Sequence, residues 1–220
     1  MNGGAKMTRI LRLCGALSLL LLNTSAKESP CFNRSSVGRQ PDDSAVGSVV
    51  IYPFTHQHFV CLEHPLGQLK RLGDALGSDC VIVGLGSGTQ AKFPSFYRTN
   101  GAHNSDWIGW NASVLAPFSG VIDSLYVNPV ANVPGVLGKD RASVIIFRRE
   151  DGLRVLFAHV QDIRVKVGDT VSAGERVASV GNNGAAYFPH THIGAYKNDE
   201  PLQIRFDLEA MGTLPRSNLK

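Results

Sequence analysis

The sequence has no apolar run long enough to cross a bilayer and contains only four cysteines. Its most apolar stretch, residues 13–22, is about half as long as the ~20 residues that a membrane-spanning helix needs. We therefore expect no stable membrane insertion. The chain of 220 residues is 43% hydrophobic, which excludes intrinsic disorder and collagen-like repeats and leaves room for one core of moderate size.

Acidic residues are absent before residue 27, whereas Lys6, Arg9 and Arg12 all lie there. This basic start, the apolar stretch and the small residues that end at Ala26 form the layout of a secretory signal peptide over residues 1–26. Without this segment the basic and acidic side chains are nearly balanced. A nearly neutral mature protein lacks the positive field that nucleic-acid binding requires. We expect a periplasmic or secreted protein with no nucleic-acid partner.

Three cysteines, Cys31, Cys61 and Cys80, follow the predicted signal peptide. In an oxidising compartment two of them are expected to form a disulfide. Cys61 and Cys80 each lie at the edge of an apolar, strand-like run, which favours a bond between them. The two pairings that use Cys31 stay open.

Short runs rich in β-branched residues dominate the chain after Asn111, and Gly, Pro and Asn separate them. Several such strands without a long helix predict a mainly β fold, a compact antiparallel sandwich or barrel-like domain. We place this domain at residues 91–210, with a short tail at 211–220.

The polar residues 27–47 predict a flexible lead-in before the folded part. Residues 48–90 contain strand-like runs and one helix candidate, residues 66–76, in which apolar residues recur every three or four positions. We expect this segment to form a small N-terminal α+β lobe, or an extension packed on the β domain.

Histidines carry the clearest chemical signal in the β-rich half. The two-residue period of a strand places His190 and His192 on one face, where they can share one metal ion. The same period puts His159 at the end of a largely apolar strand. Asp106, three residues after His103, offers the oxygen ligand that catalytic zinc often takes beside histidines. Three protein ligands and an open position for water are the usual plan of such a site.

Five motifs surround these residues: Ala-Pro-Phe-Ser-Gly-Val at 116–121, Phe-Ala-His-Val at 157–160, Val-Gly-Asp-Thr-Val-Ser-Ala-Gly-Glu at 167–175, Val-Gly-Asn-Asn-Gly at 180–184 and Pro-His-Thr-His at 189–192. In order and spacing they resemble the lysostaphin/LytM-type zinc metalloendopeptidases, which are peptidoglycan hydrolases. The resemblance extends from Asp106 to about Phe206.

The resemblance implies a metallopeptidase domain with a groove and one bound Zn2+. It implies His103, Asp106 and His192 as metal ligands and His159 and His190 as catalytic residues. It also implies an exported endopeptidase that hydrolyses peptide bonds in the stems or cross-links of bacterial cell-wall peptidoglycan. The sequence has no His-Glu-x-x-His motif, so a histidine must act as the general base.

The sequence departs from the family pattern in two places. The first family motif usually reads His-x-x-x-Asp, but His103 is only three residues before Asp106, and Ala102 stands at the expected position. After the His-x-His motif, Ile193-Gly194 replaces the usual apolar and acidic pair. We expect the second change to affect the groove rather than the metal ion.

Three other functions were weighed against this hypothesis. A catalytically inactive family member would bind peptidoglycan or regulate a partner hydrolase, but such proteins typically lose the ligand residues. A biotinyl/lipoyl-like carrier or adaptor would need a lysine in an exposed tight turn between the two hammerhead-like motifs, and it would leave the histidines unexplained. A dinucleotide site at residues 81–88 has its third glycine at the wrong spacing, and Pro94 interrupts the helix that should follow.

Overall fold

The computed structural model describes residues 47–213, apart from residues 53, 55–57, 66 and 86–92. The predicted signal peptide, Cys31, nearly all of the lead-in and the end of the tail lie outside the described residues. No helix within the described ranges is long and apolar enough to cross a membrane.

Strands account for most of the regular structure. Their bounds are β1 Ser48–Ile51, β2 Phe59–Glu63, β3 Ser78–Ile82, β4 Gly84–Leu85, β5 Pro94–Ser95, β6 Ser113–Leu115, β7 Gly120–Tyr126, β8 Val144–Arg148, β9 Arg154–Ala158, β10 Val160–Gln161, β11 Thr170–Val171, β12 Arg176–Val180, β13 Thr191–Lys197 and β14 Glu200–Phe206. A short 3-10 helix covers Asn104–Asp106, and α1 covers Leu208–Thr213. The mainly β fold class predicted from the sequence is confirmed.

The largest sheet has the strand order β1-β14-β13-β9-β8-β7-β11. Its pairs are antiparallel, except that β1 runs parallel to β14. One edge of β13 pairs with β9, and the other edge is shared, because its first residues pair with β3 and its last residues pair with β14. The N-terminal strands are therefore part of the sheet that carries the His-x-His motif.

One hydrophobic cluster takes side chains from this sheet and from the smaller sheet β10-β12-β6. All but one of its bulkiest fully buried members are aromatic or β-branched, in line with the strand pattern: Phe54, Phe147, Phe157, Ile51, Ile82, Ile122, Ile145, Leu153 and Ile193. Burial of these side chains fixes the strands that border the site.

The predicted helix over residues 66–76 is absent from the described part of that segment, where residues 71–76 form turns. Gly67 has a φ of +92° and Gly73 a φ of +64°, and a right-handed helix needs negative φ at every residue. Two glycines in this conformation break a segment whose apolar spacing alone favours a helix.

A disulfide joins Cys61 on β2 to Cys80 on β3, and the two residues are directly opposed in the antiparallel pair. The pairing favoured by the sequence is confirmed. The bond ties together the two strands that lead into the site described next.

Candidate metal centre

The centre of the site is His192, on the strand with a shared edge. Its register partners are Asp79 on β3 and Ala158 on β9. Directly opposed residues of an antiparallel pair present their side chains on the same face, so the Asp79 carboxylate reaches the imidazole. His192 Nδ1 lies 2.8 Å from Asp79 Oδ1.

His64 completes a group of three. It follows β2 directly, and its backbone N–H extends the pairing by donating to the Gly77 carbonyl at 2.9 Å. Its Nε2 lies 3.2 Å from Asp79 Oδ2. The ligand atoms of His64, Asp79 and His192 all lie within 4.8 Å of one another, which suits a two-histidine, one-carboxylate zinc site.

The outward nitrogens of the two histidines also fit a metal site. Metal-binding histidines usually direct the second ring nitrogen at an acceptor. His64 Nδ1 lies 3.4 Å from the Gln68 side-chain oxygen. His192 Nε2 lies 3.2 Å from Asp74 Oδ1, at ion-pair distance but without the alignment of a hydrogen bond.

Charge is concentrated in this group. Burial raises the pKa of Asp79, but hydrogen bonds and attraction from His190 and His192 lower it more, so the pKa falls well below its usual range. Burial lowers the pKa of His192, but the carboxylates of Asp74 and Asp79 raise it to about 9. Without a metal ion, the pocket therefore favours positive charge beside Asp79, and a cation can supply that charge.

His159 lies directly after β9, where the backbone turns. Its φ is +60°, a left-handed conformation that costs a non-glycine residue about 1–3 kcal/mol. Its Nδ1–H donates to the Asn183 carbonyl at 2.7 Å, which leaves Nε2 unprotonated. Burial, reinforced by repulsion from His190, lowers the pKa of His159 to about 3. This imidazole is neutral at pH 7 and can accept a proton at Nε2.

His190 precedes β13 and is buried beside His159. The two ring centroids are 4.5 Å apart. His190 Nδ1–H donates to the Phe188 carbonyl at 2.8 Å, so its Nε2 faces the site, 3.5 Å from Asp79 Oδ1. His190 thus presents Nε2 to the metal group, and the centroid of the His159 ring lies 6.5 Å from that of His192.

The structure brings together three of the five residues predicted for the site, namely His159, His190 and His192. It does not bring His103 or Asp106 into the group of ligand atoms. The His103 side chain is 81% exposed and lies 3.6 Å from Asp106. Asp106 caps the short 3-10 helix by accepting from the His103 backbone N–H at 2.9 Å. A hydrogen bond from Thr99 and this backbone bond lower the pKa of Asp106.

Sequence reasoning missed His64 and Asp79. A usable signal was present, since Asp79 is a lone acidic residue at the start of the apolar run Cys-Val-Ile-Val at 80–83. Asp79 also lacks the histidine of a His-x-x-x-Asp motif, because Ala75 stands four residues before it. In the structure the imidazole comes from His64, on the opposite arm of the hairpin.

Gly77 limits the space around His192. A Cβ at Gly77 would lie 2.6 Å from His192 Cε1 and 2.7 Å from Nε2, closer than packed atoms allow. We expect Gly77→Ala to displace the imidazole, to weaken zinc binding and to lower the free energy of unfolding by about 1–3 kcal/mol. Chelator competition and thermal unfolding measure both effects.

Gly212→Ala is the matched control for Gly77→Ala. Gly212 lies in α1, and among the described residues nothing lies within 4 Å of the Cβ that this change adds. We expect unchanged zinc affinity and no loss of stability. Equal zinc affinity in Gly77→Ala and wild type would contradict the steric role of Gly77.

Residues 108–204 match the model of Peptidase family M23. The match includes His159, His190 and His192, while His64 and Asp79 precede it. No curated protein matches the chain.

Several solved structures are similar to the chain. An M23 structure from Pseudomonas aeruginosa is 22% identical over 44% of this chain and 38% of its own, with a TM-score of 0.35. A mutant catalytic domain of the prophage-encoded M23 protein EnpA from Enterococcus faecalis is 20% identical over 70% of this chain and 94% of its own, with a TM-score of 0.42. The catalytic domain of lysostaphin from Staphylococcus simulans is 21% identical over 72% and 82%, with a TM-score of 0.35.

Proposed function

We propose that the protein is an exported zinc endopeptidase that hydrolyses peptide bonds of bacterial peptidoglycan. The observation that carries the proposal is the group formed by His64, Asp79 and His192, with His190 Nε2 3.5 Å from Asp79 Oδ1 and the His159 ring packed beside the His190 ring. We propose the first three as metal ligands and the last two as catalytic residues. His64 and Asp79 take the places first given to His103 and Asp106.

A bound zinc ion would supply a Lewis acid for the scissile carbonyl and a water of lowered pKa. His159 is neutral, and its Nδ1–H is held by the Asn183 carbonyl, so it accepts the proton of the attacking water at Nε2. That proton then passes to the leaving amine as the peptide bond breaks. His190 donates its Nδ1–H to the Phe188 carbonyl, so its Nε2 is also free to accept or donate a proton during the reaction. Water adds across the peptide bond, yielding a carboxylate and an amine.

Three features support export and a cell-wall substrate. The predicted signal peptide and the disulfide between Cys61 and Cys80 both suit an oxidising compartment. The lysostaphin/LytM-type motifs favour peptidoglycan peptides as the substrate.

Fragments released from purified peptidoglycan test the proposal. We expect mass spectrometry to find new peptide termini with zinc-loaded protein, to find none after chelation, and to find them again after zinc is restored. The termini would identify the bond. No release by folded, zinc-loaded protein would overturn the hydrolase and favour a binding or regulatory role.

Two substitutions separate ligand from catalyst. We expect His192→Ala to lose both zinc and hydrolysis, because it removes a ligand. We expect His159→Ala to keep zinc and to lose about 10²–10⁴-fold in turnover, the usual contribution of a general base. Metal analysis and turnover of the same preparations measure both. Equal zinc retention in the two variants would contradict the assigned roles.

A further inference from the structure

We propose that Asp74 is a positioning residue for the metal ligand His192, an inference that rests on the proposed function. Asp79 and Asp74 lie on opposite nitrogens of the His192 ring. Nδ1 is 2.8 Å from Asp79 Oδ1, and Nε2 is 3.2 Å from Asp74 Oδ1. Nδ1 therefore faces the metal group, and Nε2 faces a separate carboxylate.

The chemistry of the two nitrogens assigns the role. A neutral imidazole carries one proton, and only its unprotonated nitrogen can bind a metal ion. Since Nδ1 faces Asp79 and His64, the proton belongs on Nε2. The Asp74 carboxylate, 3.2 Å from Nε2, attracts the Nε2 proton and so favours that tautomer and that orientation of the ring. Such an outer partner also makes the ligand more basic.

The turn that carries Asp74 packs closely against β13, because Gly73 in the turn and Gly194 on β13 meet without side chains between them. Asp74 N donates to the Arg71 carbonyl at 3.0 Å, and Gly77 N donates to the Asp74 carbonyl at 2.9 Å. A Cβ on Gly194 would overlap the Gly73 carbonyl, so the chain just before Asp74 lies directly against β13. Gly194 is two residues from His192, and this contact brings the carboxylate to Nε2.

Gly194 thus has a structural consequence for the ligand. The sequence pattern alone led us to expect an effect of this position on the groove. In the structure, the lack of a side chain at Gly194 leaves room for the turn over residues 71–76, which carries the Asp74 carboxylate. Burial of His192, whose side chain is 7% exposed, leaves Nε2 little access to water as a substitute partner.

The Zn2+ dissociation constant of the purified protein tests this role, measured by competition with a chromogenic chelator. We expect Asp74→Ala to weaken zinc binding by about 10- to 100-fold, as loss of an outer partner typically does. Asp74→Asn should weaken it less, because its amide oxygen still accepts but carries no charge. The matched control is Glu150→Gln, which removes one exposed charge before β9, at the end opposite His159, and should leave the constant unchanged.

Two further measurements separate positioning from general stability. Thermal unfolding of the metal-free variants reports whether the fold is retained, and backbone groups rather than the Asp74 side chain make the hydrogen bonds of the turn given above. In zinc-loaded wild type we expect NMR to detect a slowly exchanging His192 Nε2 proton, which Asp74→Ala should lose or shift.

The possible failures are distinguishable. A wild-type protein that binds no zinc would overturn the metal site and the role of Asp74 together. A wild type that binds zinc, with an equal dissociation constant and an unchanged Nε2 proton in Asp74→Ala, would overturn the role of Asp74 alone.

Discussion

Replacement of Asp79 by alanine is expected to weaken zinc binding strongly and to abolish hydrolysis, whereas replacement of Asp106 should preserve both. Asp79 contacts His64 and His192 at 3.2 and 2.8 Å, while Asp106 caps a local turn. A four-ligand zinc site binds with about 10–16 kcal/mol, or roughly 3 kcal/mol per ligand, so loss of one ligand weakens binding by about 10²-fold or more. Metal analysis and peptidoglycan release measure the two effects.

Asp106→Ala is the control for this experiment because it removes a carboxylate of the same kind. It should reduce stability slightly, because it removes the acceptor of the His103 backbone N–H. Loss of zinc in Asp106→Ala together with retention in Asp79→Ala would restore the ligand set expected from the family motif. Both variants need to be shown folded by circular dichroism before zinc is measured.

Removal of the disulfide is expected to have the next largest effect. The Cys61–Cys80 bond closes a loop with a sequence separation of 19, and the chain-entropy model gives about 3 kcal/mol for a loop of this length. Cys61→Ala with Cys80→Ala should lower the free energy of unfolding by about that amount, as measured by denaturant titration. Zinc affinity should fall as well, because His64 directly follows β2 and Asp79 lies on β3, the two strands that the bond joins.

Cys31→Ser is the matched control, since it removes a cysteine and leaves the Cys61–Cys80 bond intact. We expect its unfolding curve and zinc affinity to equal those of wild type. A loss of stability as large as that of the double variant would show that Cys31 takes part in the pairing. Peptide mapping under non-reducing conditions would then identify the bond.

The sequence was sufficient for the part of the site that lies within single strands. The period of two predicted that His190 and His192 share a face, and the apolar run predicted a strand over residues 154–160 with His159 near its end. In the structure His190 and His192 both lie close to Asp79, and β9 ends at Ala158, one residue before His159.

The remaining ligands depend on pairing between distant strands. Asp79 and His192 are separated by 113 residues, and their contact depends on the register of β3 on β13. A single sequence does not specify such a register. The shortened His-x-x-x-Asp pattern at 103–106 led to the prediction of ligands in a loop. Asp79 instead lies on β3, where a charged side chain is unusual among apolar neighbours.

The turn over residues 71–76 shows a second limit. Apolar residues at helical spacing predicted a helix, but the positive φ of Gly73 ends any helical path there. The close approach of this turn to Gly194 is a tertiary contact. The local apolar spacing therefore predicted a helix where the structure has the turn that places Asp74 beside His192.

The shared edge of β13 has a consequence for biosynthesis. Until residues 191–193 are made, β3 has no partner on the side that later pairs with β13, and the metal group lacks one ligand. At about 5–20 residues per second, the 113 residues between Asp79 and His192 take on the order of 6–20 s to synthesise. The nascent chain spends that interval with an open strand edge, a known route to aggregation, and the proposed metal group is complete only after residue 192 has been made.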